Sequence, residues 1–236
     1  MIKQIVQSVC IAMLVVISMP VAAKNLHCAT THYPPFATFD FNKRQFTGSD
    51  LILIDQLAAH FEWQVSVDNL PWARLNKIIP GKLYDCFFAL ADQPQRRLHL
   101  SYTNIPLHVT RYAMFRRSGE TGPIQTVGHL RGMALTPSMI DKHALQAAVS
   151  LRFTSNEQLL EMLMLGRIDG FVTNSEVGQF VIANAKAGQW VTMDIDQGYE
   201  LPVYLAFREN VVDIEKVNKV LSDITGQHRN VTIKTQ

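Results

Sequence analysis

Two segments of the sequence carry side chains suited to binding a small polar molecule. The first is the aromatic, proline-rich segment Tyr33-Pro-Pro-Phe36, and the second is the segment after Leu90, which contains Arg96 and Arg97. A guanidinium group gives two parallel hydrogen bonds to a carboxylate, which an ammonium group cannot do. Aromatic faces shape a pocket without adding charge. These residue types favour the binding of a small ligand.

The sequence contains no recognisable catalytic or metal-binding motif. It has no Gly-x-Ser-x-Gly, no His-Glu-x-x-His, no phosphate-binding glycine loop and no Cys-x-x-Cys. The 8 histidines stand singly along the chain, without the spacing of a zinc site. We therefore expect a protein that is not an enzyme and that uses neither a cofactor nor a metal ion.

The first half of the chain alternates between strand and helix patterns. Residues 25–31, 63–67 and 83–90 have the composition of strands. A helix follows Thr47-Gly-Ser-Asp50, which supplies N-cap chemistry, and a second helix begins at Pro71 and is closed by Gly81. This alternation predicts a parallel sheet with right-handed crossovers. Because ligands bind at the carboxyl ends of such strands, the two segments named above should lie at one rim.

The second half repeats this alternation. Strands are predicted at 111–115, 133–136, 168–173 and 204–207, and helices after Ser155, at 176–187 and at 212–224. Two α/β halves of similar pattern predict two lobes with a cleft between them.

Residues 1–23 have the pattern of a secretory signal peptide. Lys3 precedes an apolar run at residues 11–17, and the small residues that end at Ala23 favour cleavage there. The apolar run is shorter than the ~20 residues of a membrane-spanning helix. Cys10 precedes that run, which excludes it as a lipid-attachment site. The mature chain would comprise residues 24–236.

The remaining bulk properties restrict the partners and the redox state. The net charge of +2, without runs of Lys or Arg, argues against a nucleic-acid partner. The predicted mature chain keeps Cys28 and Cys86, both in predicted strands. An exported pair can form a disulfide, but two buried apolar thiols are the simpler interpretation, and we adopt it as the expectation.

Six stretches, in this order and spacing, resemble the family 3 extracellular solute-binding proteins, the polar-amino-acid type of periplasmic binding protein. They are Tyr33-Pro-Pro-Phe36, Phe46-Thr-Gly-Ser-Asp50, Gly81-Lys-Leu-Tyr-Asp85, Arg96 ahead of Leu100-Ser-Tyr-Thr103, Gly166-Arg-Ile-Asp-Gly170 and Leu205-Ala-Phe-Arg208. The resemblance extends from about Leu26 to about Ile224.

The resemblance implies a two-lobed α/β fold, the type II periplasmic binding protein fold, in which each lobe is a mostly parallel sheet flanked by helices. Lobe 1 would contain residues 24–108 and the return segment 208–236, and lobe 2 would contain residues 109–207. Two crossing strands would form a hinge that closes the lobes on a ligand. The implied role is that of a monomeric periplasmic protein that delivers a solute to an inner-membrane ABC permease.

The resemblance also assigns ligand-binding residues. Arg96 occupies the place of the arginine that binds the ligand's α-carboxylate, and Arg97 would take that role if the alignment were shifted by one residue. Further contacts are expected from a set that comprises Tyr33 and Phe36 as pocket walls, Trp72 as a stacking residue, Ala89 and Ala91 through backbone groups, and Ser138 through its hydroxyl and backbone N–H. Arg74 is a possible second anion contact, although a solvated helix face is the preferred interpretation.

Asn174 departs from the family pattern. The residue five places after the aspartate of Gly-Arg-x-Asp is usually a second aspartate that neutralises the ligand's α-ammonium, whereas here Asp169 leads to Asn174. An amide accepts a hydrogen bond but carries no charge, and burying an ammonium without a counter-charge is costly. Either Glu176 substitutes, or the ligand lacks a free α-amine; the second alternative favours a carboxylate or a modified amino acid.

Two other functions remain open. One is that the protein is a ligand-sensing partner of a membrane receptor. The other is an enzyme of the cyclohexadienyl or arogenate dehydratase type on the same fold, with Glu176 or Asp92 as the acid in the cleft.

Overall fold

The computed structural model describes residues 23–233. The predicted signal peptide therefore lies outside the described residues except for Ala23, and so does Cys10. No helix among the described residues is long and apolar enough to cross a membrane. No group of three or more His, Cys, Asp or Glu side chains in this part of the chain is arranged to hold a metal ion.

The first half of the chain forms six strands and three helices. In chain order these are β1 (Lys24–Thr30), β2 (Thr38–Asp40), β3 (Gln45–Thr47), α1 (Ser49–Phe61), β4 (Trp63–Asn69), α2 (Trp72–Ile78), β5 (Cys86–Ala91), α3 (Pro94–Arg97) and β6 (Leu100–Tyr102). β1 pairs in parallel with both β4 and β5, which confirms the predicted parallel β-α-β-α-β unit. β2 and β3 form a separate antiparallel hairpin that the sequence patterns did not predict.

The second half forms five strands and four α-helices. These are β7 (His108–Arg117), β8 (Thr126–Leu130), α4 (Pro137–Lys142), β9 (Val149–Phe153), α5 (Asn156–Met164), β10 (Gly170–Asn174), α6 (Ser175–Asn184), β11 (Val191–Arg208) and α7 (Ile214–Ile233), with a short 3₁₀ turn at Leu145–Ala147. β8 pairs in parallel with β9 and β10, and β10 pairs antiparallel with β7. Ser155 caps α5 as predicted, since its side chain accepts a hydrogen bond from the backbone N–H of Gln158.

Two long strands connect the halves. β11 pairs with β7 over residues 191–195 and again over 200–203, and then continues along β5 and β6. The register of β11 shifts between Ile195 and Glu200, where it passes from one half to the other. The predicted lobe boundaries at 108/109 and 207/208 fall within β7 and β11, and these boundaries stay a prediction.

The buried core is divided in the same way. One pair of apolar clusters packs around β1 and β5 and includes Phe87, Phe88 and Leu221 from the C-terminal helix. A second pair packs around β7, β8 and β10 and includes Phe115 and Val172. We use "lobe 1" for the parts around the first pair and "lobe 2" for the parts around the second.

Two local predictions were wrong. Residues 133–136 form no strand, because the strand that precedes α4 is β8, upstream at Thr126–Leu130. The N-cap of α1 is Gly48 and makes no side-chain cap. Gly48 has φ 127°, and a Cβ atom there would lie 2.2 Å from the carbonyl oxygen of Phe36. The close approach of the Tyr33–Phe36 loop therefore requires glycine at this position.

Cys28 and Cys86 form a disulfide, which corrects the expectation of two free thiols. The two residues are direct partners in the parallel register of β1 and β5, with their Cα atoms 4.5 Å apart. The sequence could not show this because register is a property of the folded sheet. The disulfide ties together the two strands whose carboxyl ends form the rim of lobe 1.

Candidate functional site

A cleft of about 1010 Å³ lies between the lobes, and its lining includes residues of both. Lobe 1 contributes the ends of β1 and β5 and the start of α2. Lobe 2 contributes the loop at 132–138 and the end of β10. The crossing segment at 198–204 of β11 closes one side. This is the rim predicted from the parallel order of the strands.

Arg96 is a buried cation at this rim. It lines the cleft and is 7% exposed. Its Nη1 donates a hydrogen bond to the carbonyl oxygen of Ala91 (2.7 Å), and its Nη2 donates to Oδ1 of Asn76 (2.6 Å). Its guanidinium carbon lies 5.4 Å from the ring centroid of Trp72. These contacts fix the plane of the guanidinium, and the phenol of Tyr102 interacts with it as well. The remaining N–H donors are left for other partners.

Arg96 has no carboxylate partner among the described residues. Burial is the main cause that lowers its pKa from the ordinary value. An arginine remains protonated nonetheless, so its charge has to be stabilised inside the protein. A buried guanidinium that is held in place but not neutralised is suited to an anionic ligand.

The neighbouring arginines do not occupy equivalent positions. Arg97 is exposed and forms a bidentate ion pair with Asp92, in which Nε donates to Oδ1 at 2.8 Å. If the alignment were shifted by one residue, the ligand-binding cation would be Arg97, whose charge is already neutralised by Asp92. Arg74 is exposed on α2 and does not line the cleft, as expected for a solvated helix face.

Aromatic side chains form much of the wall. Tyr33 and Trp72 line the cleft, as the sequence suggested. The indole N–H of Trp72 donates to the carbonyl oxygen of Gly132 (3.2 Å), so this residue bridges lobe 1 and lobe 2.

Phe36 is the exception among the eight predicted contact residues, because it is not part of the cleft lining. Its ring stacks on His108 with centroids 3.5 Å apart, and His108 Nδ1 lies 2.8 Å from Oδ1 of the buried Asp50. The two prolines turn the loop so that Tyr33 and Phe36 have different neighbours. Phe36 therefore supports the loop from behind and does not wall the pocket.

Ala89 and Ala91 present backbone groups at the end of β5. Ala89 lines the cleft with φ 55°, an uncommon conformation for a residue with a side chain. It lies where the register between β5 and β11 shifts. The carbonyl oxygen of Ala91 accepts hydrogen bonds from Arg96 and from the hydroxyl of Tyr102 (3.3 Å). Ala91 thus orients Arg96.

Ser138 and Asn174 face the cleft from lobe 2. The Ser138 hydroxyl donates to Oδ1 of Asp196 (2.9 Å), an acid that is itself buried. Asn174 is 7% exposed, does not cap α6 with its side chain, and leaves its buried Nδ2 without a hydrogen-bond partner among the described residues.

Glu176 does not reach the cleft lining. Its Oε2 accepts hydrogen bonds from the hydroxyls of Thr110 and Ser175. Those contacts hold the carboxylate against β7 and the first residue of α6. The structure therefore gives no support to Glu176 as a substitute for the missing aspartate.

Several residues that line the cleft were not predicted from the sequence as ligand contacts. They are Asn76, Tyr112, Tyr199, Glu200 and Tyr204. Tyr112 was within a predicted strand, and its outward position in the alternating pattern was the available signal. Tyr199 and Glu200 lie before the predicted start of the last strand, so no pattern marked them. The rings of Tyr112 and Tyr199 stack with centroids 5.9 Å apart and planes 9° apart. Burial is the main cause that raises the pKa of Tyr112 to about 12, so its phenol is neutral at ordinary pH.

A second contact joins the lobes at His32, which lines the cleft. Its Nδ1 accepts a hydrogen bond from the backbone N–H of Phe39 (2.9 Å), and its Nε2 lies 3.7 Å from Oε1 of Glu157 in the first turn of α5. The interaction with His32 is the main cause that lowers the pKa of Glu157 to about 2. Trp72 and His32 thus link the lobes at two separate points.

Comparisons by sequence and by structure give different results. No protein-family model matches the chain, and no curated protein sequence matches it. Solved structures, in contrast, match it over most of its length.

Three solved structures illustrate the likeness. A Salmonella typhimurium periplasmic binding protein with high arginine specificity is 17% identical with a TM-score of 0.71, covering 86% of this chain and 94% of its own. The amino acid ABC transporter substrate-binding protein AbpA of Streptococcus pneumoniae, bound to L-arginine, is 14% identical with a TM-score of 0.71, covering 86% and 90%. An ancestral amino acid-binding protein that preceded cyclohexadienyl dehydratase is 21% identical with a TM-score of 0.68, covering 86% and 90%.

The protein therefore has the two-lobed α/β fold of type II periplasmic binding proteins, which confirms the fold class predicted from the sequence.

Proposed function

We propose that this protein is a substrate-binding protein of the family 3 type, which captures a small carboxylate-bearing solute, an amino acid or a related compound, in the periplasm for an inner-membrane ABC permease. The observation that most strongly supports this proposal concerns Arg96. Its guanidinium is buried and oriented, it has no carboxylate partner among the described residues, and it lies in a cleft between two lobes. The neighbours of known structure bind amino acids, and one is an ABC substrate-binding protein.

The proposed site combines a charged group that binds the ligand, aromatic walls that fit its shape and two strands at which the lobes could rotate. Arg96 would bind the ligand carboxylate, while Tyr33 and Trp72 wall it and Ala89, Ala91, Ser138 and Asn174 add backbone and polar contacts. β7 and β11 are the two strands that cross between the lobes, and closure would be a rotation at these strands.

The experiment that tests this proposal is mass spectrometry of the small molecule retained by the purified protein after denaturation, for the wild type and for Arg96→Ala and Arg97→Ala. We expect the wild type and Arg97→Ala to release a carboxylate-bearing compound and Arg96→Ala to release none. A retained compound without an acidic group, or equal retention by Arg96→Ala, would overturn the proposal.

Export and transport need their own tests. N-terminal sequencing of the protein from the periplasm should begin at Lys24, and size-exclusion chromatography should give a monomer. Uptake reconstituted with the permease encoded nearby would establish transport, whereas an adjacent sensor kinase that responds to the loaded protein would establish sensing instead.

The enzyme alternative rests on the ancestral precursor of a dehydratase among the neighbours. The two candidate acids are both engaged, Asp92 by Arg97 and Glu176 by two hydroxyls. We therefore expect no turnover of prephenate or arogenate by the purified protein, and measurable turnover would reverse this assignment.

A further inference from the structure

The charges that line the cleft are unequally balanced. The lining residues with ionisable acidic or basic side chains are His32, Asp92, Arg96 and Glu200. Asp92 is paired with Arg97, Glu200 with Arg111, and His32 faces Glu157. Arg96 is therefore the lining charge that forms no ion pair among the described residues, and Asp92 acts on it only at longer range. The cleft as a whole favours one negative charge on its ligand.

Among the described residues, the lobe 2 loop and the end of β10 place no carboxylate in the cleft lining. Asp196 is 2% exposed and lies behind Ser138. Its Oδ1 accepts hydrogen bonds from the Ser138 hydroxyl (2.9 Å) and from the backbone N–H of Gly198 (3.1 Å). The polar side chain at the end of β10 is Asn174, a neutral amide. An ammonium bound beside Asn174 would lose its hydration without a direct ion pair, because the Asp196 carboxylate is covered by Ser138 and is not part of the cleft lining.

The rest of the lining offers flat, neutral faces. Five aromatic side chains line the cleft, which are Tyr33, Trp72, Tyr112, Tyr199 and Tyr204. The stacked rings of Tyr112 and Tyr199 provide one such face, and Trp72 under Arg96 provides another. Aromatic pairs of this kind gain attraction beyond simple area burial when a further ring stacks between or against them.

Building on the proposed function, we propose that the ligand is an aromatic carboxylate without an amino group, of the arylpropanoate or aryl-2-oxo-acid class. Its carboxylate binds Arg96, and its ring lies against the tyrosine and tryptophan faces. The lobe 2 side of the lining disfavours zwitterionic amino acids, because their α-ammonium finds no carboxylate in direct contact there.

The test is calorimetry at neutral pH with matched pairs of probes. 3-Phenylpropanoate and phenylpyruvate are compared with L-phenylalanine, and 4-methylpentanoate is compared with L-leucine; L-arginine is included because neighbours of known structure bind it. We expect 3-phenylpropanoate to bind at least tenfold more tightly than L-phenylalanine, and more tightly than 4-methylpentanoate.

The outcomes distinguish failure of this inference from failure of the proposed function. An amino acid that binds as tightly as its deaminated counterpart, in an Arg96-dependent manner, overturns this inference but leaves the proposed function standing. The same holds if the aliphatic carboxylate binds more tightly than the aromatic one. Failure of every carboxylate and every amino acid to bind overturns the proposed function and this inference together.

A charge substitution gives an independent readout. Asn174→Asp places a carboxylate at the start of α6, where a negative charge interacts favourably with the N-terminus of the helix, so the variant should fold. We expect the ratio of L-phenylalanine affinity to 3-phenylpropanoate affinity to rise at least tenfold. Asn184→Asp adds the same charge on the same helix, ten residues and about 15 Å away, and should leave the ratio unchanged. An unchanged ratio in Asn174→Asp would contradict the inference.

Discussion

Lobe 1 presents a buried cation to the cleft, whereas lobe 2 presents neutral groups or groups that already have partners. The Arg96 guanidinium is held by Ala91 and Asn76 on elements tied to a disulfide-linked sheet. Across the cleft, Asn174 has no charge and Ser138 donates to Asp196. Lobe 2 contains no cysteine. Under the proposed function, lobe 1 would supply preorganised affinity for an anion, and lobe 2 would set selectivity because its lining lacks a charge for an ammonium.

The largest expected effect comes from removing the disulfide of lobe 1. The bond joins residues 58 apart in sequence. Loop-closure entropy for such a separation predicts that Cys28→Ala/Cys86→Ala lowers the free energy of unfolding by about 4 kcal/mol. Urea denaturation measures this loss. Two titratable thiols in the denatured, air-exposed mature protein would show that no bond forms and that β1 and β5 are not covalently joined.

The next effect concerns the orientation of Arg96. Asn76→Ala removes the acceptor of the Nη2 hydrogen bond, so the guanidinium is less well held. We expect affinity for the best-binding carboxylate to fall about tenfold, or about 1.4 kcal/mol. Lys77→Ala, at the next and exposed position of α2, should change it less than twofold. If calorimetry showed equal losses of affinity in Asn76→Ala and Lys77→Ala, the hydrogen bond to Asn76 would not be what orients Arg96 for binding.

A smaller effect is expected at the contact between the lobes near Trp72. Gly132 has φ 86°, and a Cβ atom there would lie 3.2 Å from the Cα of Ala73 in lobe 1. Gly132→Ala should therefore weaken ligand binding about fivefold, or about 1 kcal/mol, by disfavouring this approach of the lobes.

Gly119→Ala is the matched control, because Gly119 has a similar φ of 84° but no atom within 4 Å of the added Cβ. Both variants place an alanine in a left-handed conformation, so the free energy of unfolding should fall by a similar amount in each. Only Gly132→Ala should lose affinity for the ligand. An equal loss of affinity in both variants would contradict a closed contact at this point.

The smallest effect is expected at the other contact between the lobes. Because the pKa of Glu157 is lowered to about 2 in the folded protein, the ionised carboxylate stabilises the fold above its ordinary pKa. That contribution is lost as pH falls from about 4.5 towards 2. The difference in unfolding free energy between wild type and Glu157→Gln should therefore shrink over this range.

Ligand affinity of Glu157→Gln at pH 7 should fall only about twofold, since the pair is partly exposed to solvent. Glu161→Gln, one turn further along α5 and exposed, should show neither change. A pH-independent difference between wild type and Glu157→Gln would rule out His32 as the cause of the lowered pKa.

Sequence patterns predicted the elements of lobe 1 better than those of lobe 2. The helix α1 and the strand β4 have clear periodicity, because each buries one face. Residues 133–136 were mistaken for a strand, since a short apolar run has no distinctive period. The length of β11 was also missed, because its middle crosses between the lobes and is not buried on a regular face.

Seven of the eight predicted contact residues line the cleft, and their roles in binding stay a prediction. Arg96, Tyr33, Trp72 and Asn174 lie where the order of the strands and the family resemblance indicated. The sequence could not show that Tyr33 lines the cleft and Phe36 does not, because the direction of their loop depends on how Gly48 packs against that loop. The pairing of Cys28 with Cys86 and the neutralisation of Asp92 by Arg97 likewise depend on three-dimensional contacts.

The most direct test of the account is a crystal structure of the protein with its retained ligand. The account predicts an acidic group of the ligand between the lobes, with its oxygens about 2.7–2.9 Å from guanidinium nitrogens of Arg96. A ligand bound in the cleft with its acidic group turned away from Arg96, or bound outside the cleft, would contradict the central claim.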